Sequence, residues 1–260
     1  MLLVMDVGNT NTKIGLFDGA RLLFSWRLTT RREQTADEYW LILDTLLRTR
    51  GVRPQQIAGV AISNTVPPVQ QTFERMCERY FGLYPFTVEP GVNTLMPLAV
   101  DNPREVGPDR IVNAIAAEAK YGAPVIVVDC GTATTFNCVN SRREFVGGAI
   151  APGLMIAAEA LTSRAARLFR VELVRPKEAI GRNTVTNIQS GIVYGYAGLV
   201  DGLVERMRAE MEGTPTVVAT GGLAGVIQEV ARTIQHLNSD LALEGLRAIW
   251  EQAHPHPAKA

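Results

Sequence analysis

Histidine is scarce in this sequence: of 260 residues only His236, His254 and His256 are histidines, and all three fall within the last 25 positions. That argues against a Ser-His-Asp triad or a His-ligated zinc. Cysteine is equally sparse, with Cys77, Cys130 and Cys138 odd in number and lacking metal-ligand spacing, a pattern expected of a reducing, cytoplasmic compartment. No glycine is followed by lysine, and no two glycines flank a single residue as in Gly-x-Gly. These absences remove the Walker A phosphate loop and the glycine signatures of dinucleotide-binding folds and protein kinases. Charge of one sign is missing as well: 26 basic residues balance 26 acidic ones, so no global field invites nucleic acid or an anionic membrane. The longest uncharged run, Asn183 to Val200, is rich in Asn, Gln, Ser, Thr and Gly and suits a bilayer poorly. The N-terminus shows no basic segment ahead of its apolar stretch, so no signal peptide is expected.

Apolar residues make up 47% of the chain, enough for a substantial core in one large domain or two smaller ones. The pattern predicts strands over 2–6, 12–17 and 20–28, the latter two joined by a turn at Asp18-Gly19. Thr35 and Glu38 form a capping-box signature for a helix that stops at Gly51. A strand at 57–63, a proline-started helix from Pro67, a short strand at 86–89 and a helix at 107–122 complete a first set. The pattern then restarts with strands at 124–131, 134–140 and 143–151, helices in GLMIAAEALTSRAARLF and NIQSGIVYGYAGLVDGLVERMRAEM, a strand at 214–222 and a helix at 241–252. Glycines 191, 195, 198 and 202 on the long helix are expected to permit close packing against a neighbour, a partner subunit included.

DVGNTNT (6–12) and DCGTATT (129–135) share the pattern Asp-x-Gly-[Asn/Thr]-x-[Asn/Thr]-Thr, and four apolar residues precede each. Shared flanks make internal duplication the better explanation than coincidence. Two β-β-β-α-β-α units are expected, over 1–122 and 123–252, with a disordered tail at 253–260. Facing units would leave a cleft into which both strand-ending turns point.

The chemistry of such turns suits a polyphosphate. Gly8 and Gly131 let backbone N–H groups approach anionic oxygens, and successive N–H groups make an anion-binding concavity. Asn9, Thr10, Thr12, Thr132 and Thr134 add donors, and Lys13 adds a point charge. Asp6 repels phosphate, so its functional place is to hold Mg²⁺, which takes one or two carboxylates and keeps several waters. The plainer reading is a tight β-turn followed by ordinary strand threonines. The pairing of the two motifs, together with Gly-Gly turns at 147–148 and 221–222, favours nucleotide binding.

DVGNTNTK, NPREVGPDR, DCGTATTF, GGAIAPG, GRNTVTNIQSG and VVATGG occur here in an order and spacing that resemble the type III pantothenate kinases, of the acetate-kinase/sugar-kinase/heat-shock-protein ATPase superfamily. The resemblance covers residues 2 to about 230. It implies an α/β architecture of two RNase H-like domains, a homodimer, ATP and Mg²⁺, and phosphorylation of the small molecule pantothenate as the first step towards coenzyme A. By the same resemblance Asp6, Val7, Gly8, Asn9, Thr10, Asn11, Thr12 and Lys13 bind ATP and magnesium. Asp109 becomes the general base, in a substrate segment formed by Gly107, Pro108, Asp109 and Arg110. Asp129 becomes the ligand of a monovalent cation, K⁺ or NH₄⁺, and Thr132, Gly221 and Gly222 lie on the nucleotide. Thr184 would contact substrate from the other subunit.

Read without the resemblance, Asp109 is an acid favoured at a helix N-terminus after Pro108, Asn183-Thr184 are helix-capping residues, and Arg110 either forks onto the pantothenate carboxylate or forms a structural ion pair. The sequence departs from the family pattern twice: Pro108 stands where members usually have alanine, removing an N–H, and Val100 stands where many carry a tyrosine on the substrate-pocket wall. Two rivals remain, another small-molecule kinase of the superfamily and a non-catalytic transcriptional accessory factor of the same fold. Retention of Asp6, Lys13, Asp109 and Asp129 speaks against the second.

Overall fold

A computed structural model describes residues 1–255; the part of the expected tail at 256–260 lies outside the described residues. The chain divides into two compact units. The first comprises Met1–Leu95, Asn102–Ala116 and the residues from Ala242 on, and the second Met96–Asp101 and Ala117–Leu241.

In the first unit, β1 (Leu2–Val7), β2 (Asn11–Asp18) and β3 (Arg21–Thr29) form an antiparallel meander, and β4 (Gly59–Asn64) and β5 (Phe86–Thr87) add in parallel on the other side of β1. The order is β3-β2-β1-β4-β5. The central strand is almost wholly apolar and buried, as a strand covered on both faces must be. Leu3, Met5 and Val7 enter one core with α1 (Ala36–Arg48) and α2 (Gln70–Phe81), where Tyr39 and Phe73 rings lie 4.7 Å apart. The capping box forms as the sequence suggests: Glu38 N–H donates to Thr35 Oγ1 at 3.3 Å, and Thr35 N–H donates to Glu38 Oε2 at 2.7 Å. Gly82 ends α2 in the left-handed region.

The opposite sheet face carries α7 (Leu241–Ala253), whose Leu243 packs at Gly15 and whose Trp250 ring lies against Gly59. A helix spanning Pro108–Tyr121, α3, crosses α7 so closely that a β-carbon on Gly245 would sit 2.1 Å from the Val112 carbonyl oxygen. Ala253 closes α7, and the His254 ring stacks on Trp250.

The second unit repeats the plan. β6 (Val125–Cys130), β7 (Ala133–Val139) and β8 (Phe145–Pro152) make the meander, and β9 (Thr216–Thr220) and β10 (His236–Leu237) pair in parallel, giving β8-β7-β6-β9-β10. The strand order and the sense of every pairing match those of the first sheet. Around it pack α4 (Leu154–Arg164), α5 (Thr184–Glu210) and α6 (Ala224–Gln228). The buried Asp201 of α5 accepts N–H bonds from Arg232 and Thr233, both at 2.9 Å, and the Thr233 hydroxyl at 2.8 Å. Burial alone would raise its pKa, but these donors outweigh burial and hold it below the usual carboxylate value.

Two expectations shift. The 57–63 strand starts at Gly59 because Pro54–Gln56 form a 3₁₀ turn closed by Ile57 N–H on the Pro54 carbonyl. The proline-started helix begins as a 3₁₀ turn at Pro67–Val69, closed by the Gln70 N–H on the Pro67 carbonyl, and is α-helical only from Gln70. The α5 glycines leave room for a neighbour: among the described residues, added β-carbons at 191, 195 and 198 would meet nothing within 4 Å. Among the described residues no helix is long and apolar enough to cross a membrane.

Candidate active site

In the first unit the strand alternation that buries Leu3, Met5 and Val7 beside α1 and α2 turns Asp6 to the other face. Asp6 pairs with Lys13 across the β1–β2 ladder and with Ser63 across the parallel β1–β4 ladder, so a carboxylate, an ammonium group and a hydroxyl share one face at the strand end. Ser63 is fully buried, and its hydroxyl has no hydrogen-bond partner among the described residues. Between the strands, Gly8 N–H donates to the Asn11 carbonyl at 3.0 Å and closes the turn. Asn9, Thr10 and Asn11 are exposed at its tip, Gly8 and Lys13 are half-buried, and Val7 is buried. Thr12 is fully buried, with its hydroxyl 2.9 Å from that of Thr30. Thr12 therefore shapes the turn from behind rather than presenting its side chain at the tip.

Asp109 is the second residue of α3, where an acid is favoured by the helix dipole. Its Oδ1 accepts the Arg110 N–H at 2.9 Å and lies so near Gly107 that a β-carbon there would be 2.6 Å away. Pro108 opens the helix, and Arg110 stands next to the carboxylate. The residue keeps some surface, yet burial of its carboxyl dominates and pushes the pKa above the usual aspartate value against the lowering pull of the Arg110 N–H and charge. The shift follows from burial that sequence does not display.

In the second unit Asp129 occupies the place of Asp6, paired with Thr135 on β7 and Thr220 on β9. Its turn is tighter by one residue: Gly131 N–H donates to the Ala133 carbonyl at 3.1 Å. Gly221, at φ +97°, lies directly under Asp129, and a β-carbon there would be 2.5 Å from Asp129 Oδ1 and 2.6 Å from the Cys130 carbonyl carbon. Gly222 follows, exposed, and Leu223 N–H returns to the Cys130 carbonyl at 3.3 Å. Thr132 is exposed on the turn, against which Gly153 at the start of α4 packs; a β-carbon on Gly153 would lie 2.0 Å from the Thr132 carbonyl oxygen. The Cys130 thiol is pushed up to about 12 by burial and by the Asp129 charge, so it is no nucleophile. Val100 stands beside β8, its Cγ1 3.7 Å from a β-carbon on Gly147. Thr184 is the exposed first residue of α5, behind Asn183, whose side chain caps the Thr186 N–H at 2.9 Å.

The sequence reading missed Thr30, Thr65 and Ser63. The only available signal was strand register: pairing β4 parallel to β1 puts Ser63 beside Asp6 and carries Thr65 to the turn.

A family model described as type III pantothenate kinase matches residues 2–206. The chain is 53% identical over 250 residues to a type III pantothenate kinase of Syntrophotalea carbinolica, covering 96% of this chain and 98% of that one. It is 52% identical to another of Geobacter sulfurreducens, with 97% and 99% covered. Among solved structures it resembles the ROK hexokinase of Thermus thermophilus, at TM-score 0.54, 16% identity and coverage of 98% and 99%. That likeness, with the repeated sheet order, shows the duplicated RNase H-like fold of actin-like ATPases. Two motifs in matching structural places and near-complete similarity to named relatives agree, and the chain belongs to the type III pantothenate kinase family.

Proposed function

We propose that the chain transfers the terminal phosphoryl group of ATP to the alcohol of pantothenate, forming 4'-phosphopantothenate, the first step towards coenzyme A. The observation that carries this is the family match over nearly the whole chain; the Asp6–Lys13 segment, a turn closed by the Gly8 N–H on the Asn11 carbonyl, supports it. The turn's N–H groups and Lys13 take the phosphates of ATP. Phosphoryl transfer passes through a loose transition state, so positioning and charge stabilisation matter more than base strength. Asp109 orients the pantothenate hydroxyl and accepts its proton as the new P–O bond forms, while Arg110 holds the substrate carboxylate. Pro108 gives no N–H to the substrate, and Val100 supplies an aliphatic rather than a phenolic wall. Thr132, Gly221 and Gly222 lie along the nucleotide, and Thr184 reaches the substrate of the partner subunit in a homodimer. The exposed glycine face of α5, clear of its own chain, suits that dimer. We place the protein in the cytoplasm.

The residues fit the implied cations. Asp6 offers one carboxylate beside the Ser63 hydroxyl, a hard-oxygen set suited to Mg²⁺ that also takes phosphate oxygens. Asp129 offers a carboxylate oxygen beside the Gly221 backbone, a hard-oxygen donor suiting K⁺ or NH₄⁺. When bound, these cations neutralise phosphate charge.

A coupled ADP-release assay with pantothenate, in K⁺ and then in Na⁺, tests the proposal. Turnover on a sugar but not on pantothenate would move the assignment to another superfamily kinase, and turnover on nothing would point to a regulator. Asp129→Ala should raise the K⁺ concentration for half-maximal rate by about tenfold or more, equivalent to ~1.4 kcal/mol. An unchanged K⁺ titration rejects that role.

A further inference from the structure

We propose that Thr30 and Thr65 are positioning residues that hold the carbonyls of the 7–11 turn away from its anion-binding face. The inference rests on the reading that this turn takes the phosphates of ATP. A turn of N–H groups attracts anions only while its own carbonyls are kept elsewhere, since a carbonyl that swings inward turns its negative end on the phosphate. Three carbonyls of this turn are engaged. Asn11 O accepts Gly8 N–H at 3.0 Å, Thr10 O accepts Thr30 N–H at 3.0 Å, and Val7 O accepts both the N–H and the hydroxyl of Thr65, at 3.0 and 3.1 Å. The Thr30 hydroxyl meets that of the fully buried Thr12 at 2.9 Å, tying the start of β2 to the same brace.

Both braces are anchored outside the turn. The residue after Thr30 is clamped by Tyr39: Arg31 N–H donates to the Tyr39 hydroxyl at 2.9 Å, and that hydroxyl donates to Arg31 O at 3.1 Å. Tyr39 is 1% exposed and belongs to the α1–α2 core. The residue before Thr65 is fixed by Asn64, which accepts Val66 N–H at 2.8 Å and donates to Gln70 at 2.7 Å. Two threonines from different connections thus carry the rigidity of the core to a turn whose tip is exposed. Neither needs to touch nucleotide.

The test uses Thr30→Val, which keeps the Thr30 N–H on the Thr10 carbonyl but removes the hydroxyl tie to Thr12, and Thr65→Val, which keeps one of the two bonds to the Val7 carbonyl and removes the hydroxyl one. Each should raise the KM for ATP about fivefold, the effect of one lost hydrogen bond. The double variant should reach about 25-fold if the braces act independently. The KM for pantothenate should stay near wild type in both, and the melting temperature should hold in Thr65→Val and fall modestly in Thr30→Val, which leaves the buried Thr12 hydroxyl without this partner; a general loss of structure would instead raise both KM values together. Thr30→Ser and Thr65→Ser should restore the ATP KM to within about twofold. If Thr30→Val fails to fold, Tyr39→Phe withdraws the same anchor from the far side and should raise the ATP KM instead. An unchanged ATP KM in both valine variants, or equal rises for both substrates, overturns the inference. Lys13→Ala separates this from the underlying reading: a raised ATP KM there with none in the valine variants sinks only the bracing role, and none in any variant sinks both.

Discussion

Asp109→Asn should lower kcat by about 10²–10³ while leaving nucleotide affinity near wild type. The expectation follows from what the substitution keeps and removes. An asparagine Oδ1 can still accept the Arg110 N–H that the carboxylate accepts at 2.9 Å, and it leaves the same approach over Gly107. The start of α3 therefore stays in place. What disappears is the capacity to take a proton from the substrate hydroxyl. Burial holds the Asp109 pKa above its usual value, so a wild-type acid limb in kcat/KM should lie above that of an ordinary aspartate. The variant, with nothing to titrate there, should lose that limb.

Stability supplies an independent sign. A carboxyl whose folded-state pKa is raised binds its proton more tightly folded than unfolded. Its contribution to stability is thus present below the unfolded value and lost as pH rises through the folded one. At neutral pH the wild type carries the penalty of a desolvated charge and Asp109→Asn does not, so the variant should melt no lower than wild type. The difference should close as pH falls through the raised pKa. Turnover near that of wild type would remove Asp109 as the base, and a variant that melts well below wild type would show that its carboxylate serves the fold.

The duplication was legible because its signal is local: four apolar residues, an aspartate and a glycine turn recur, and each recurrence became a central strand feeding a meander. The capping box at Thr35 and Glu38 was legible for the same reason, since its partners stand three residues apart. The parts not foreseen depend on distant pairing or are very short. β10 has two residues and exists only through its ladder with β9, and α6 is little more than one turn. In the site, the aspartates could be picked out from motif and spacing. Thr30, Thr65 and Ser63 could not, because a lone hydroxyl residue gains meaning only from the register that carries it to the turn. Burial of the Asp109 carboxyl likewise belongs to the packed chain. The α5 glycines show the reverse: a spacing readable in sequence has no close neighbour within its own chain.

Gly221→Ala should be strongly damaging to the second unit and to its site. Glycine reaches φ +97° freely, whereas alanine there is strained. Sterics add to this, because the new β-carbon would lie 2.5 Å from Asp129 Oδ1 and within 2.6–2.7 Å of the Cys130 backbone. The side chain can rotate away, but the Cys130 backbone is locked in the β6 ladder and cannot yield, so the glycine turn must shift. Together these effects should destabilise by about 2–4 kcal/mol, a fall in melting temperature of roughly 5–12 °C. Turnover should drop at least about 100-fold even where the protein is folded, since the methyl displaces the Asp129 carboxylate. Gly225→Ala is the control four residues on: its added β-carbon meets nothing within 4 Å, and both stability and rate should hold. A Gly221→Ala protein that melted and turned over like the control would mean that Asp129 has room to move without loss, and its place above the glycine turn would then have no functional weight.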